Sequence, residues 1–425
     1  MVSATFHCTA SFAPYVNLSN CDFSGQEFYQ VDLSEADLSG TNFSGASFTR
    51  VNLSNATLIG ANLSGVNWFQ GILQGSDLRG ADLSNVKIEE VALMSIDLTD
   101  SNLKGANILN CNAEGSNFSR ADLSGAIIKA VNLSNTEFLE ANLSGVDFSG
   151  INLSNSKLIG ADLSRADLSG VVLNGADLTR TKFRESNLSN ADFSGVIING
   201  TDFTGANLNG ADFSGIDLSG AVLKDADLSN ADLSNSNLSG ADLSGAIFSG
   251  ADISNSNLSG ADLSGADLYG AILNGVDFSN ANMKRIGLSG VDLSRINLSN
   301  ADLKGADLSY AELEGADLKG AILESADLSY ANLNGADLKG AILESADLSY
   351  ANLNGADFSG ANLESADLFK AVLKGTDFSG ADLSNADVNL IDIEGAKTDG
   401  ETKLPEKGFF FFRELYELFR TLFGF

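Results

Sequence analysis

The sequence predicts an all-β protein whose chain winds as a four-sided parallel β-helix, a solenoid of about 19 coils, followed by a short C-terminal amphipathic helix. A five-residue unit repeats from Val16 to Gly395 without insertion or deletion. The 20-residue segment from Leu318 to Asp337 recurs letter for letter as Leu338 to Asp357, so four units form the larger repeat. Proline would interrupt a ladder of backbone hydrogen bonds. The only two prolines, Pro14 and Pro405, both lie outside the array.

Each five-residue unit has the pattern of one side of a coil. Its consensus is Ala-(Asp/Asn)-(Leu/Phe)-Ser-Gly, and we number the central apolar residue i, so that the unit runs from i−2 to i+2. Apolar residues at i−2 and i with a polar residue between them indicate a short, half-buried strand. Ser and Gly or Asn at i+1 and i+2 are turn formers. Only Ala113 is small among the central residues, so position i is expected to fill the interior.

A four-sided coil of 20 residues stacks each residue on its counterpart in the next coil. Hydrogen-bonded strands lie about 4.8 Å apart, so the array is expected to form a rod roughly 90 Å long. Residues at i and i−2 then form interior columns, whereas Asp, Asn and Ser form columns outside. The same spacing relates these aromatic and acidic residues: Phe183 and Phe203, Phe358 and Phe378, Tyr310, Tyr330 and Tyr350, and Glu324, Glu344 and Glu364.

The repeated Ala-Asp-Leu-Ser-Gly signature resembles that of the pentapeptide-repeat proteins. It covers about nine-tenths of the chain. The resemblance implies a right-handed helix; the handedness does not follow from the spacing. Members of this family include quinolone-resistance and topoisomerase-immunity proteins that imitate duplex DNA toward DNA gyrase, and many others have no known activity. Some gyrase-directed members depend on loops that interrupt the repeat. This array has no interruption, so a loop-dependent mechanism is not expected here.

The two ends of the chain lack the repeat. Residues 1–15 are predicted to cap the open edge of the first coil, 16–395 to form the β-helix, 396–408 to form a hinge, and 409–425 to form the amphipathic helix. Three roles for this helix stay open: a cap on the last coil, a homodimer contact of the kind the resemblance implies, and, less favoured, docking to a membrane or partner. Its predicted contact residues are Phe412, Leu415, Tyr416, Phe419, Leu422 and Phe423.

Composition narrows the classes of partner. With 56 acidic and 25 basic residues, the formal charge of −31 argues against direct binding of nucleic acid or anionic membranes by the array. The first 49 residues contain no Lys or Arg, so the basic region that a secretory signal requires is absent. No apolar run is long enough to cross a bilayer. We therefore expect a bacterial-type cytoplasmic protein.

Catalytic and metal-binding patterns are not found in the sequence. His7 is the only histidine and is predicted to be structural. Cys21 and Cys111 stand at i−2, where the repeat has Ala, and are interpreted as small core residues rather than as a disulfide or a metal set. A solenoid filled with side chains offers no cavity for a general base. We therefore expect no enzyme activity, no cofactor and no metal site.

The acidic columns carry the remaining functional signal. The leading hypothesis is a non-catalytic scaffold that binds protein partners not identifiable from the sequence, and the alternative is a DNA-mimicking inhibitor or immunity protein acting on DNA gyrase or a related topoisomerase. The carboxylates also have a structural interpretation, since Asp and Asn at i−1 can bond to the backbone of the turn. Three candidate interaction ladders are predicted. They are the Asp307 ladder (Asp307, Asp327, Asp347, Asp367 and Asp387), the Asp317 ladder (Asp317, Asp337, Asp357 and Asp377) and the Asp192 ladder (Asp192, Asp212, Asp232 and Asp252).

Overall fold

The chain is an all-β parallel solenoid, as predicted. A computed structural model describes residues 7–391 and 395–405, which belong to two compact units, Met1–Asp232 and Leu233–Phe425. In the first unit, parallel bridges join residues 20 apart from Asn17 to Asp232. In the second unit, the same separation holds from Asn237 to Asp387. A coil therefore contains four five-residue units.

Regular strands occur on one side of the first unit. They are β1 (Glu27–Tyr29), β2 (Ser47–Thr49), β3 (Asn67–Ile72), β4 (Lys87–Ala92), β5 (Asn107–Leu109) and β6 (Ile127–Lys129), and they form one parallel sheet in chain order. In these six strands position i+1 is never Ser, whereas Ser is frequent there in the later coils of the same side; the residue is often large or β-branched, which favours an extended backbone. The other sides, in the described ranges, are joined by single bridges. The one described helical turn is the 3₁₀ helix η1 (His7–Thr9).

Each corner of the coil is formed by a residue in the left-handed conformation. Every fifth residue from Tyr15 to Gly395, the i+2 position, has a φ between 50° and 73°. Glycine adopts this conformation without a steric cost, and Asn does so more readily than other residues. The frequent Gly and Asn at i+2 are therefore requirements of the corner.

The polar residue at i−1 supports the corner beside it. In a typical unit, Oδ1 of Asp37 accepts the backbone N–H of Ser39 at 3.1 Å. Some buried hydroxyl groups at i−2 bond to the backbone: the Thr41 hydroxyl donates to the Leu18 carbonyl of the preceding coil at 2.9 Å, whereas the Ser156 hydroxyl has no hydrogen-bond partner among the described residues. The structural interpretation of the Asp and Asn residues is confirmed.

The interior consists of stacked apolar side chains. Leu at position i is fully buried through most of each unit, and Ala at i−2 separates the columns. The phenylalanines that the 20-residue spacing predicted to align are stacked: Phe183 lies 5.3 Å from Phe203, and Phe358 lies 5.3 Å from Phe378, measured between ring centroids. In the described residues, the interior of the coils is thus filled by side chains.

The interpretation of Cys21 as an unbonded core residue was wrong. Cys21 forms a disulfide with Cys8. Cys8 lies in η1, outside the repeat, so the 20-residue spacing does not predict which residue it contacts. The ring of Phe12 packs at 5.5 Å from Phe23, so this N-terminal segment lies against the first coil. Cys111 is a free, buried cysteine as expected, and burial raises the pKa of its thiol to about 11.

The parallel register continues beyond Gly395, into the segment predicted to be a hinge. Lys397 pairs with Asp377 after 20 residues, whereas Lys403 pairs with Asp382 after 21, so one residue is inserted in the last described coil. The Lys403 ammonium donates to the Asp382 carboxylate and lowers the pKa of that carboxyl group to about 2. The predicted helix at 409–425 lies outside the described residues.

Trp68 requires a special arrangement in the core of the first unit. Its indole nitrogen is buried without a hydrogen-bond partner, and it lies beside Gly71, which occupies an i−2 position. A Cβ on Gly71 would lie 2.7 Å from this nitrogen and 2.8 Å from the carbonyl oxygen of Val51. Gly71 is therefore needed for space, since its φ is not positive.

We predict that Gly71→Ala lowers the free energy of unfolding by about 1–3 kcal/mol, because the added methyl group overpacks the indole. Gly287→Ala is the matched control: Gly287 also lacks a positive φ, and its Cβ would meet no atom within 4 Å. The control is expected to be neutral or to stabilise by up to about 1 kcal/mol. Thermal unfolding followed by circular dichroism measures both, and a Gly71→Ala protein as stable as wild type would contradict the packing described for Trp68.

Candidate interaction surface

The structure brings the predicted carboxylates together as columns. Consecutive members of the Asp307 ladder are bridged from Asp307 to Asp387, and those of the Asp317 ladder from Asp317 to Asp377. Both ladders lie in the second unit. The Asp192 ladder is divided, because its first three members lie in the first unit and Asp252 lies in the second.

The Asp317 ladder is partly neutralised by lysines of its own unit. Nζ of Lys319 lies 3.3 Å from Oδ2 of Asp317 and 2.9 Å from Oδ2 of Asp337, so one ammonium group bridges two successive coils. Lys397 lies 3.6 Å from Asp377. These pairs are exposed and contribute little stability. They nevertheless remove much of the local negative charge that a cationic partner would encounter.

The Asp307 ladder keeps its charge. Within the described ranges, none of its five members forms an ion pair. Each uses Oδ1 to accept the backbone N–H two residues later, for example from Ser329 to Asp327 at 2.9 Å. The second oxygen, Oδ2, accepts no hydrogen bond from a described residue. This ladder therefore presents a row of unneutralised carboxylate oxygens.

The part of the Asp192 ladder that lies in the first unit resembles the Asp307 ladder. Asp192 and Asp212 each accept a backbone N–H, from Ser194 and Ser214 respectively. Neither forms an ion pair with another described residue. Asp252 accepts the N–H of Ser254, but its coil neighbour in the second unit is Ile272, so the acidic column ends there.

A stack of exposed tyrosines, which was not predicted as a functional surface, lies on the same side as the Asp307 ladder. Tyr310 and Tyr330 have ring centroids 4.9 Å apart with planes within 4°, and Tyr330 and Tyr350 are 4.6 Å apart with planes within 6°. The rings remain substantially exposed, from 59% at Tyr310 to 39% at Tyr350. Partial burial, with a smaller effect of the neighbouring tyrosines, raises the pKa of Tyr330, so its hydroxyl stays protonated at neutral pH. The 20-residue recurrence of Tyr was the signal that could have identified this surface.

These tyrosines occupy a position that disfavours them. Tyr310, Tyr330 and Tyr350 stand at i+2 with φ of 59°, 61° and 60°. The left-handed conformation costs an L-residue roughly 1–2 kcal/mol, and it is unusual for a bulky side chain. Stacking offsets part of this cost, since an aromatic pair contributes about 0.5–1.5 kcal/mol. Three successive aromatic residues at strained corners therefore mark this column as a candidate interaction surface.

A lysine closes the C-terminal end of the tyrosine stack. Nζ of Lys370 lies 5.1 Å from the ring centroids of both Tyr350 and Phe369, and it is 3.5 Å from the Tyr350 hydroxyl. Phe369 also meets Tyr350 edge to face at 5.6 Å. A cation within about 6 Å of an aromatic centroid is attracted by the ring. The stack thus already binds one cation of its own chain.

Other predicted features are only partly covered by the structure. The tail residues Phe412, Leu415, Tyr416, Phe419, Leu422 and Phe423 lie outside the described residues. His7 belongs to η1, and its side chain is not described. The described ranges contain no group of three or more His, Cys, Asp or Glu side chains arranged to hold a metal ion. Likewise, no described helix has the length and apolar character needed to span a membrane.

The repeat matches a known family model along nearly the whole array. The model of pentapeptide repeats in eight copies matches overlapping segments from residue 15 to residue 397, leaving only 66–68 and 286–287 uncovered. A search of curated proteins gives no match.

Three solved structures illustrate the similarity. HetL, a pentapeptide repeat protein involved in heterocyst differentiation regulation in the cyanobacterium Nostoc, is 32% identical over 62% of this chain and 91% of its own, with a TM-score of 0.22. A thylakoid lumen protein of Arabidopsis thaliana is 36% identical over 24% of this chain and 70% of its own, with a TM-score of 0.23. QnrB1, a plasmid-mediated fluoroquinolone resistance protein, is 21% identical over 52% of this chain and 92% of its own, with a TM-score of 0.19. Because all three TM-scores are below 0.5, the similarity that carries weight is that of the repeat itself.

We predict that replacing Asp327, Asp347 and Asp367 by Asn leaves the thermal midpoint unchanged or raises it at low salt. The amide oxygen can still accept the backbone N–H, as Asn332 already does for Asn334 at 3.2 Å. The change also removes repulsion of about 1 kcal/mol per adjacent carboxylate pair in water-like dielectric.

The matched control replaces the same three residues by Ala, which removes the acceptor and is expected to cost about 0.5–1.5 kcal/mol per site. Thermal unfolding at low and high salt compares the two variants. A large drop in the thermal midpoint of the Asn variant would contradict this expectation, because it would show that the carboxylate charges themselves stabilise the corners.

Proposed function

The chain belongs to the pentapeptide-repeat family, and from this premise we propose that it is a non-catalytic scaffold that binds a cationic protein partner through the Asp307 ladder. The observation that carries the proposal is the contrast between two columns of the same unit. Lys319 and Lys397 neutralise much of the Asp317 ladder, whereas the Asp307 ladder has no ion pair among the described residues. Support of the corners does not account for this asymmetry, because carboxylates of both ladders accept the same backbone N–H two residues later.

The interior supports a non-catalytic role. Positions i and i−2 are filled by Leu, Phe and Ala, and the described acidic groups stand on the outside of the coils. Catalytic groups usually lie in a concave site that excludes water and shifts their pKa values. An outer column of carboxylates is better suited to electrostatic attraction and orientation of a partner.

The second candidate function is inhibition of a topoisomerase by imitation of DNA. Its support is the resemblance to gyrase-directed family members together with Asp192 and Asp212, which form no ion pair with described residues. A DNA mimic must place carboxylates where its partner binds phosphates. The corner bonds accepted by these carboxylates explain their presence without such a partner, so this candidate ranks second.

We predict that a fluorescently labelled hexa-lysine peptide binds the wild-type chain and that the Asp327/Asp347/Asp367→Asn variant binds it at least several-fold more weakly. The matched control, Asp317/Asp337/Asp357→Asn, is expected to lose less affinity, because Lys319 already neutralises part of that column. Fluorescence anisotropy over a range of salt concentrations measures both affinity and its electrostatic share. Equal losses in the two variants would contradict a special role for the Asp307 ladder.

A gyrase assay distinguishes the two candidate functions. Under the scaffold proposal, the purified chain in micromolar excess leaves supercoiling and relaxation unchanged. Inhibition that is relieved in an Asp192/Asp212→Asn variant, or by added duplex DNA, would overturn this ranking in favour of the DNA mimic.

A further inference from the structure

The two ends of the tyrosine stack differ in what covers them. At the C-terminal end, Lys370 and Phe369 lie against Tyr350. At the N-terminal end, the corresponding corner of the preceding coil is Gly290, which has no side chain. The exposed fraction of the rings follows this difference, since it is 59% at Tyr310, 46% at Tyr330 and 39% at Tyr350.

The ladder hydrogen bonds fix the position of Gly290 below Tyr310. Gly287 is bridged to Asp307, and the N–H of Gly290 donates to the Ser309 carbonyl at 2.8 Å. A Cβ placed on either glycine would meet no atom within 4 Å. The outer face of Tyr310 therefore borders unfilled space above the backbone of Gly290, which we call the recess.

Three acidic residues lie close to Tyr310 and Gly290 along the two coils. Asp307 precedes Tyr310 by three residues and Glu312 follows it by two, and Glu312 is bridged to Asp292 of the coil that carries Gly290. All three are exposed, and none forms an ion pair with a described residue. Hydrogen bonds from Ser294 lower the pKa of Asp292, so this group stays ionised at neutral pH. The recess thus combines an open aromatic face with unbalanced negative charge.

We propose that the open face of Tyr310 above Gly290 is a docking site for an arginine side chain in an extended basic segment of a partner protein. A guanidinium group is planar, stacks on an aromatic ring and bonds carboxylates with a fork of N–H donors. At the other end of the stack, Lys370 already shows the attraction of these rings for a cation. The inference rests on the proposed scaffold function and names the contact that would make the partner's recognition selective.

Other occupants fit the recess less well. Successive nucleobases need several open aromatic faces on which to stack, but the stack offers only the outer face of Tyr310, since both faces of Tyr330 are covered by its neighbours. A nucleic acid would also meet the carboxylates of the Asp307 ladder. A second copy of this chain carries a formal charge of −31 and would be repelled overall. Arginine in a basic protein segment satisfies both the shape and the charge.

The test compares hexa-arginine and hexa-lysine peptides on wild type and on two matched variants. Gly290→Leu would place an aliphatic side chain against the open face of Tyr310, at a corner whose φ of 67° is near the 56° at which Leu390 occupies the same position of the repeat. Gly260→Leu is the control: Gly260 has the same φ of 67°, also has open space around its Cβ, and lies on a different corner of the coil. Circular dichroism and thermal unfolding verify that both variants fold.

We expect hexa-arginine to bind wild type more tightly than hexa-lysine does. We also expect Gly290→Leu to weaken hexa-arginine binding by roughly 3- to 30-fold, the equivalent of one cation–π contact, whereas Gly260→Leu leaves it unchanged. Tyr310→Leu should reproduce the loss without filling the recess. Free L-arginine should bind far more weakly than the peptide, because the proposed source is a protein segment anchored along the ladder.

Two results would overturn the inference. Equal affinities for the two peptides would show attraction by charge alone, and hexa-arginine binding that survives Gly290→Leu and Tyr310→Leu would place the contact elsewhere. If such binding is still lost in the Asp327/Asp347/Asp367→Asn variant, the scaffold proposal stands while the Tyr310 site fails. If that variant also binds like wild type, both proposals fail.

Discussion

The left-handed residue at every fifth position is the constraint on which the rest of this structure depends. It turns the chain at each corner and so fixes the direction of the side chains between two corners. Those at i and i−2 point inward, and the one at i−1 points outward. The carboxylate or amide at i−1 then supports the turn by accepting the N–H of i+1, as Asp307 does for Ser309 at 3.0 Å. An acidic, glycine-rich composition follows from this local geometry before any partner is considered.

Because each coil repeats the last, a surface feature of this protein is a column rather than a patch. A single substitution repeated every 20 residues changes a whole side of a unit, as the tyrosines at 310, 330 and 350 show. These rings occupy corners where glycine would cost nothing, beside a ladder of carboxylates without ion pairs. The combination of strain, exposure and unbalanced charge distinguishes this surface from the columns that only maintain the fold.

The fold could be predicted from the sequence because the repeat itself shows which residues are aligned in successive coils. The identity of Leu318–Asp337 with Leu338–Asp357 gave the coil length, and the alternation of Ala, Asp and Leu gave the buried face. Features outside the repeat were not predictable in this way. Cys8 has no position in the register, so its disulfide with Cys21 was missed. The ion pairs of Lys319 were also missed, because they depend on how a flexible side chain reaches the neighbouring coil.

The central claim is that residues 20 apart in sequence are neighbours in space, one coil apart. It can be tested by pulsed electron paramagnetic resonance with spin labels on Ser279→Cys and Ser379→Cys, in a Cys111→Ala background that leaves the Cys8–Cys21 disulfide intact. The two sites lie on one column of the second unit and are 100 residues apart in sequence. At about 4.8 Å per coil, we expect a single narrow distance distribution centred at about 24 Å, widened by the label linkers. A broad distribution, or one centred well beyond this distance, would contradict the 20-residue coil and with it the alignment of the acidic and aromatic columns.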